Sequence, residues 1–164
     1  MRDIYKETQK FRQKWVLFIY VLLVSLFLLF VYAIYQQIVL EMPFGDRPAP
    51  NFVLIICAAL MVALMIMFNF SKLETIISAN SLKIKFSPFH RSFKEFSWTS
   101  VEKTEIIKYG FIGYGIRISS YGKAYNVSGN KGLSLKLKSG KKILIGTQKP
   151  DELAAFLRKI GITV

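Results

Sequence analysis

Residues 15–40 read WVLFIYVLLVSLFLLFVYAIYQQIVL and residues 52–70 read FVLIICAALMVALMIMFNF, and neither stretch contains a charged side chain. As α-helices the two stretches would be roughly 39 and 28 Å long, against a hydrocarbon core of about 30 Å in a bilayer. Both are long enough to cross a membrane. The sequence therefore predicts a transmembrane helical hairpin over residues 15–70, with a short external loop at residues 36–51.

The first apolar stretch shares one feature with a secretory signal peptide, because Lys10, Arg12 and Lys14 precede it. Its uncharged length is about twice that of a signal-peptide hydrophobic region. Gln36 and Gln37 also stand where a small-residue cleavage site would be expected. We therefore interpret this stretch as a membrane-spanning helix.

Lysine and arginine are unevenly distributed around the two apolar stretches. Five lie in residues 1–14, one (Arg47) lies in the loop, and seventeen lie in residues 71–164. Because positively charged flanks stay in the cytoplasm, we expect both termini inside and a multi-pass location in the cytoplasmic (inner) membrane. Residues 1–14 would then be a basic cytoplasmic segment, and residues 71–164 a cytoplasmic domain.

Short alternating segments replace the long apolar runs after residue 71. Apolar and polar residues alternate over 82–86, 116–118 and 133–137, and turn residues such as Ser139-Gly140 separate the segments. A period of two with one polar face is typical of antiparallel strands that pack on a core from one side. We count seven or eight strands between residues 73 and 146, enough for a small sandwich or partly open barrel.

The period changes to that of a helix near the C-terminus. Pro150 suits a first helical position, and Gly161 follows a basic last turn. Four apolar residues recur at helical spacing and should cover the sheet: Leu153, Phe156, Leu157 and Ile160.

Several short motifs in this region resemble those of a known superfold. They are GYGIR at 113–117, YNVSG at 125–129, GL at 132–133, IGTQ at 145–148 and PDEL at 150–153. With them, the chain resembles the pleckstrin-homology (PH) superfold, and more specifically bacterial PH-like domains carried behind two membrane helices. The resemblance implies a membrane α-hairpin plus an α+β domain, a PH-like antiparallel β-sandwich of about seven strands closed by a C-terminal helix. It implies assembly or binding, and it assigns no functional residue.

The residues that could carry catalysis or bind a metal are scattered. His90 is the only histidine and lies in a predicted loop, and the single cysteine, Cys57, lies in the second apolar stretch. The glycine-rich residues 109–115 lack the strand-then-helix context of a nucleotide loop. We therefore expect a protein that is not an enzyme, with no catalytic residue, no cofactor and no metal site.

Positive charge is the remaining feature of the predicted domain. Residues 71–164 carry six carboxylates against their seventeen lysines and arginines. Four lysines flank the predicted Ser139-Gly140 hairpin turn and form the candidate contact for anionic lipid or a partner: Lys136, Lys138, Lys141 and Lys142. A tethered domain meets the inner leaflet first, so we expect no nucleic-acid partner. A solvated basic face is the alternative interpretation.

These observations together indicate a non-enzymatic, membrane-tethered PH-like module that recruits or organises a partner at the cytoplasmic face. Its expected partners are the bilayer itself, another protein or a second copy of the chain, and anionic lipid headgroups. Two alternatives stay open. The chain could be a sensor of anionic phospholipid, or an accessory subunit of a larger membrane complex that uses the small residues Ser25, Ala58, Ala59 and Ala63 for helix contacts.

Overall fold

The computed structural model describes residues 4–110 and 113–164, which divide into two compact units. One unit is helical and comprises residues 12–70. The other is rich in β-strands and combines the described residues before Arg12 with residues 71–164.

The helical unit contains two long apolar helices. Helix α1 (Lys14–Ile34) continues into a π-helical turn (Tyr35–Val39), and helix α2 (Asn51–Phe70) follows the loop. Both are long and apolar enough to cross a membrane, as predicted. The two helices contact each other along their length, and the Tyr20 hydroxyl donates to the Met65 carbonyl at 3.1 Å.

The side chain of Gln37 organises the loop between α1 and α2. Its Nε2 donates to the Ala49 carbonyl at 3.0 Å and to Asn51 Oδ1 at 2.7 Å, and its Oε1 accepts from the Phe44 N–H. These bonds tie the end of α1 to the start of α2 and satisfy backbone groups that the proline-containing loop leaves unpaired.

The β-rich unit contains two sheets and one helix. The first sheet has the order β1-β2-β3-β4 and is antiparallel throughout. Its strands are β1 (Tyr5–Lys10), β2 (Lys72–Ile77), β3 (Ser81–Ser87) and β4 (Lys94–Ser97). A 3₁₀ turn at Trp98–Ser100 then leads into the second sheet.

The second sheet has the order β5-β8-β9-β7-β6. Its strands are β5 (Val101–Lys108), β6 (Gly115–Ser119), β7 (Gly122–Asn126), β8 (Lys131–Leu137) and β9 (Lys142–Gly146). The structure therefore confirms strands at the alternating segments and a tight turn at Ser139-Gly140, where the Gly140 N–H donates to the Leu137 carbonyl.

One strand pair differs from the expected antiparallel arrangement, since β7 and β9 pair in parallel. Strand β8 runs opposite to β7, and β9 runs opposite to β8 after the tight turn, so β9 lies parallel to β7 when it inserts beside it. This central position buries β9 on both faces. Leu144 packs with Ala124 and Tyr109 on one face. Ile143 and Ile145 on the other face belong to a larger cluster, which we call the main core and which also contains residues of the first sheet, the second sheet and the last helix: Tyr5, Leu73, Ile77, Leu82, Ile84, Phe86, Tyr125, Val127, Leu133, Leu135, Leu153 and Leu157.

A second difference concerns the N-terminal segment, which was expected to lie outside the domain. Strand β1 pairs with β2 along its whole length, from Tyr5 opposite Ile77 to Lys10 opposite Lys72. Tyr5, Glu7 and Gln9 are buried. The β-rich unit is therefore not confined to residues 71–164, because its first sheet begins with residues that precede both apolar helices.

The buried carboxylate of Glu7 fastens β1 to the segment that links β9 to the last helix. Its Oε2 accepts from the Tyr5 hydroxyl at 2.9 Å and from the Thr147 hydroxyl at 2.7 Å, and its Oε1 accepts from the Gln148 N–H at 2.8 Å. Gln9 Nε2 donates to the Gly146 carbonyl at 2.7 Å. Polar side chains thus hold β1 in place on its buried face.

Helix α3 (Pro150–Lys159) covers the core as predicted. Pro150 occupies the first turn, and Gly161 has a φ of 80° just after the helix ends. Leu153 and Leu157 are buried in the main core, and Phe156 and Ile160 pack against it. The apolar face of α3 is therefore covered within the β-rich unit.

Candidate functional site

The four lysines of the predicted hairpin have different surroundings in the structure. Lys136 lies opposite Lys142 in the β8–β9 register, but its ammonium group is 2.7 Å from a carboxylate oxygen of Glu102 on β5. Lys138, Lys141 and Lys142 are exposed at or beside the turn. The hairpin thus carries three exposed lysines and one ion-paired lysine.

Lys141 and Lys142 also line a cleft of about 640 Å³ between the edge strand β4 and strands β6 to β9. We call it the β4–β9 cleft. Lys94 and Phe96 on β4 form one wall. The other described residues of its lining come from the second sheet and its turns: Ile118, Gly122, Lys123, Tyr125, Leu137, Ser139, Lys141, Lys142 and Ile143. The volume is within the range of about 300 to 1,000 Å³ that is usual for small-molecule sites.

Strand register brings the lining of the second sheet together. Lys123 on β7 lies opposite Ile118 on β6 and opposite Ile143 on β9, so the three side chains form a row on one face. Tyr125 follows Lys123 by two residues and shares that face. Gly122 allows close approach here, because a Cβ atom at its position would lie 2.0 Å from the Lys142 carbonyl oxygen.

Tyr125 is the centre of the polar part of the cleft. The ammonium groups of Lys94 and Lys123 each lie 5.9 Å from the centroid of its ring, and the Lys94 ammonium group is 3.5 Å from its hydroxyl oxygen. The His90 ring packs edge-on against the Tyr125 ring, with 5.6 Å between the two ring centroids. Two lysines from different sheets therefore converge on a single aromatic ring, an arrangement that cation–π attraction stabilises.

The positive charge at this place affects His90. Burial lowers the pKa of the imidazole, and the charges of Lys94 and Lys123 lower it further. His90 Nδ1 accepts a hydrogen bond from the Phe86 N–H at 3.2 Å, which also requires an unprotonated nitrogen. His90 therefore lies in a loop, as predicted, but against the core and beside two cations.

Charge in the β4–β9 cleft is of one sign. Among the described residues that line it, none is acidic. The ion pairs formed within residues 4–110 and 113–164 include none of Lys94, Lys123, Lys141 and Lys142. The nearby carboxylate of Glu95 on β4 is held instead by Lys83 and by the Ser81 hydroxyl. An anion entering the cleft would meet cations without local competition.

The sequence of residues 2–161 matches the family of unknown function DUF6141. The chain belongs to this family. Among curated proteins, none matches the sequence. Because the match extends from before β1 to the end of α3, the DUF6141 unit includes the N-terminal strand, both apolar helices and the β-rich unit.

The glycine-rich segment of this DUF6141 protein has a structural role at its described ends. The Tyr109 side chain lies against Gly132 and Gly146. An added Cβ atom would lie 3.0 Å from the Tyr109 ring atom Cε1 at Gly132, and 3.1 Å from the Tyr109 hydroxyl oxygen at Gly146. The Tyr109 hydroxyl donates to Asn126 Oδ1, and Asn126 Nδ2 donates to the Gly113 carbonyl. Burial raises the pKa of Tyr109 to about 12. Residues 111 and 112 of this segment lie outside the described residues.

Sequence reasoning missed Lys94, Lys123 and Tyr125 as members of a site. A local signal exists, because Lys94 precedes Phe96 by two residues and Lys123 precedes Tyr125 by two. In a strand this spacing places a cation and an aromatic ring on the same face. Within the described residues there is also no group of three or more His, Cys, Asp and Glu side chains that could hold a metal ion.

Proposed function

We propose that this DUF6141 protein is a non-enzymatic, membrane-tethered PH-like module that recruits or organises a partner at the cytoplasmic face of the inner membrane. The observation that carries the proposal is the place of the apolar helices in the chain. They are inserted between β1 and β2, two adjacent antiparallel strands.

Strand pairing places both ends of the inserted segment at one location, since Lys10 lies opposite Lys72. A segment that leaves and re-enters one sheet at neighbouring residues must cross a bilayer an even number of times. The two helices satisfy this condition. Both also expose large apolar side chains along their length, for example Phe18 and Phe52, which an aqueous setting would disfavour.

The orientation that we propose follows the lysines and arginines. Residues 1–14 and 71–164 carry nearly all of them, and the loop between α1 and α2 carries one. The positive-inside tendency then places the β-rich unit in the cytoplasm. The PH-like classification is supported by the antiparallel first sheet, the second sheet and the helix α3 on the core, while the parallel β7–β9 pair is a departure from it.

A second candidate function is an accessory subunit whose apolar helices contact a larger membrane complex. Ala58 is buried in the hairpin itself, whereas Ser25, Ala59 and Ala63 are exposed along the helices. Small exposed residues permit close approach of another helix. In this alternative the main contact lies in the membrane and not on the β-rich unit.

Site-specific photocrosslinking in membranes tests both candidates. A photoreactive residue at Ile118, which is 93% exposed, samples the β-rich unit, and one at Ala59 samples the helices. We expect the photoreactive residue at Ile118 to give a discrete crosslinked partner, identified by mass spectrometry. A photoreactive residue at Lys103, which is also exposed but lies on β5, is the matched control. A partner captured only from Ala59 would favour the accessory subunit. No discrete adduct from either position, under conditions where the chain is intact, would contradict both.

A further inference from the structure

We propose that the β4–β9 cleft binds a small amphiphilic anion, with its carboxylate or phosphate head at Lys94 and Lys123 and its short apolar chain along Ile118, Leu137 and Ile143. The inference goes beyond the proposed function, because a ligand in this cleft requires neither a protein partner nor membrane insertion.

The positions of the cations favour one compact anionic head. Lys94 and Lys123 reach the same Tyr125 ring from opposite sheets, each at 5.9 Å from its centroid. A single phosphate or carboxylate beside that ring can accept from both ammonium groups, and such charge-assisted bonds are the strong ones. An extended acidic peptide would instead present its carboxylates on one face about 7 Å apart. Such a peptide suits a row of separate cations better than two cations at one aromatic ring.

The apolar part of the cleft favours a chain attached to that head. Ile118 is 93% exposed although it lies in a row with Lys123 and Ile143 on the face of the sheet that carries Tyr125. Strands β7 and β9 are paired on both sides, so the part of the wall formed by Lys123, Tyr125 and Ile143 offers side chains and no free strand edge. Ile118 itself lies on β6, the edge strand of this sheet. Burial of an aliphatic chain against Ile118 and Ile143 would remove apolar surface from water.

The surroundings of His90 agree with an anion at this place. The imidazole lies 5.6 Å from Tyr125, and the charges of Lys94 and Lys123 act on it. An anion that neutralises these lysines would raise the pKa of His90. Because the chain contains one histidine, the His90 resonance is an unambiguous reporter.

The test uses the full chain in phosphatidylcholine nanodiscs with ¹³C-labelled isoleucine methyl groups. The probes are hexyl phosphate, inorganic phosphate and hexanol. We expect hexyl phosphate to shift the Ile118 and Ile143 methyl signals saturably and to raise the pKa of His90, with weaker effects from the other two probes. Ile55 and Ile56 on α2 are exposed and report any partitioning of the probe into the bilayer.

Matched double variants decide where the head binds. Replacement of Lys94 and Lys123 by Gln should weaken hexyl phosphate binding about tenfold to a hundredfold. Replacement of Lys108 and Lys131, an opposed pair on β5 and β8 outside the cleft lining, removes the same charge and should leave binding nearly unchanged. Ile118→Ala should weaken hexyl phosphate binding and leave the response to inorganic phosphate unaltered.

A further arm distinguishes the source of the ligand. In this arm, phosphatidylglycerol is added to the nanodisc without hexyl phosphate. If the anionic head comes from a membrane lipid, the Ile118 and Ile143 shifts should be reproduced. If the ligand is a soluble amphiphile, these shifts should not appear. Absence of saturable shifts with hexyl phosphate, equal losses in the two double variants, or tighter binding of a Glu-Leu-Glu-Leu-Glu peptide than of hexyl phosphate would overturn the proposal.

Discussion

At the scale of single residues, Glu7 is the polar side chain on which the position of β1 depends most. It is 7% exposed and accepts three hydrogen bonds, from Tyr5, Thr147 and Gln148. In Glu7→Gln the new amide NH₂ group cannot accept, so at least one buried donor loses its partner. We expect the free energy of unfolding to fall by about 1 to 3 kcal/mol, measured by denaturant titration of the full chain.

Glu105→Gln is the matched control for Glu7, because the Glu105 carboxylate is about half exposed and pairs with Lys103 on the surface. Its replacement should change the free energy of unfolding by less than about 1 kcal/mol. Equal losses in the two variants would mean that the hydrogen bonds of Glu7 contribute nothing specific to the attachment of β1.

His90 provides a pH-dependent prediction. Its folded-state pKa is lowered from the ordinary 6.5, first by burial and then by Lys94 and Lys123. The folded chain therefore binds a proton at His90 less readily than the unfolded chain does. The contribution of His90 to the free energy of unfolding is fully present above about pH 6.5 and is lost as the pH falls through the folded-state pKa. An NMR titration should show this lowered pKa, and Lys94→Gln should raise it. A titration at or above the ordinary value would contradict the structure.

At the scale of secondary-structure elements, β1 yields the clearest prediction. Residues 71–164 alone lack the strand that contributes Tyr5, Glu7 and Gln9 to the buried face. We expect this fragment to melt without cooperativity, or well below a chain in which residues 4–11 are joined to residues 71–164 by a short glycine-rich linker. Thermal melts by circular dichroism measure the difference. Identical transitions would show that β1 is dispensable.

Helix α3 gives a second prediction at this scale. Leu157 is fully buried in the main core, so Leu157→Ala should lower the free energy of unfolding by about 2 to 5 kcal/mol through lost burial and a residual cavity. Arg158→Ala, on the exposed side of the same helix, should change it by about 0.5 kcal/mol or less. A neutral Leu157→Ala in denaturant titrations would mean that the helix is not part of the core.

These elements differ in how far the sequence predicts them. Strands β3 and β8 and helix α3 carry apolar residues at the period of their element, so the pattern is enough. Strand β1 buries Glu7 and Gln9 on its inner face, and a hydrophobic pattern cannot reveal a strand whose buried face is polar. The hydrophobic pattern does not reveal the β4–β9 cleft either, because Lys94 and Lys123 are brought to the Tyr125 ring only by the packing of the two sheets.

At the scale of the whole molecule, topology is the decisive prediction. Reporter fusions at Val164 and in the loop near Gly45 should show the C-terminus inside and the loop outside, because seventeen lysines and arginines follow α2 and one lies in the loop. Protease protection of the N-terminal segment should agree with the result for Val164, since β1 and β2 belong to one sheet. An external signal at Val164 would overturn the proposed orientation.

The insertion of both apolar helices between β1 and β2 also has a consequence for the biogenesis of the chain. Strand β1 leaves the ribosome first, yet its partner β2 is synthesised only after α1 and α2. At about 5 to 20 residues per second, the sixty or so intervening residues delay that pairing by roughly 3 to 12 s. For a chain inserted as proposed, a nascent protein that threaded only one helix would leave β1 and β2 on opposite sides of the bilayer, where no sheet can close. On the proposed topology, only a chain that threads both helices can therefore complete the first sheet, and a misthreaded chain would keep β1 and β2 unpaired and open to quality-control proteolysis.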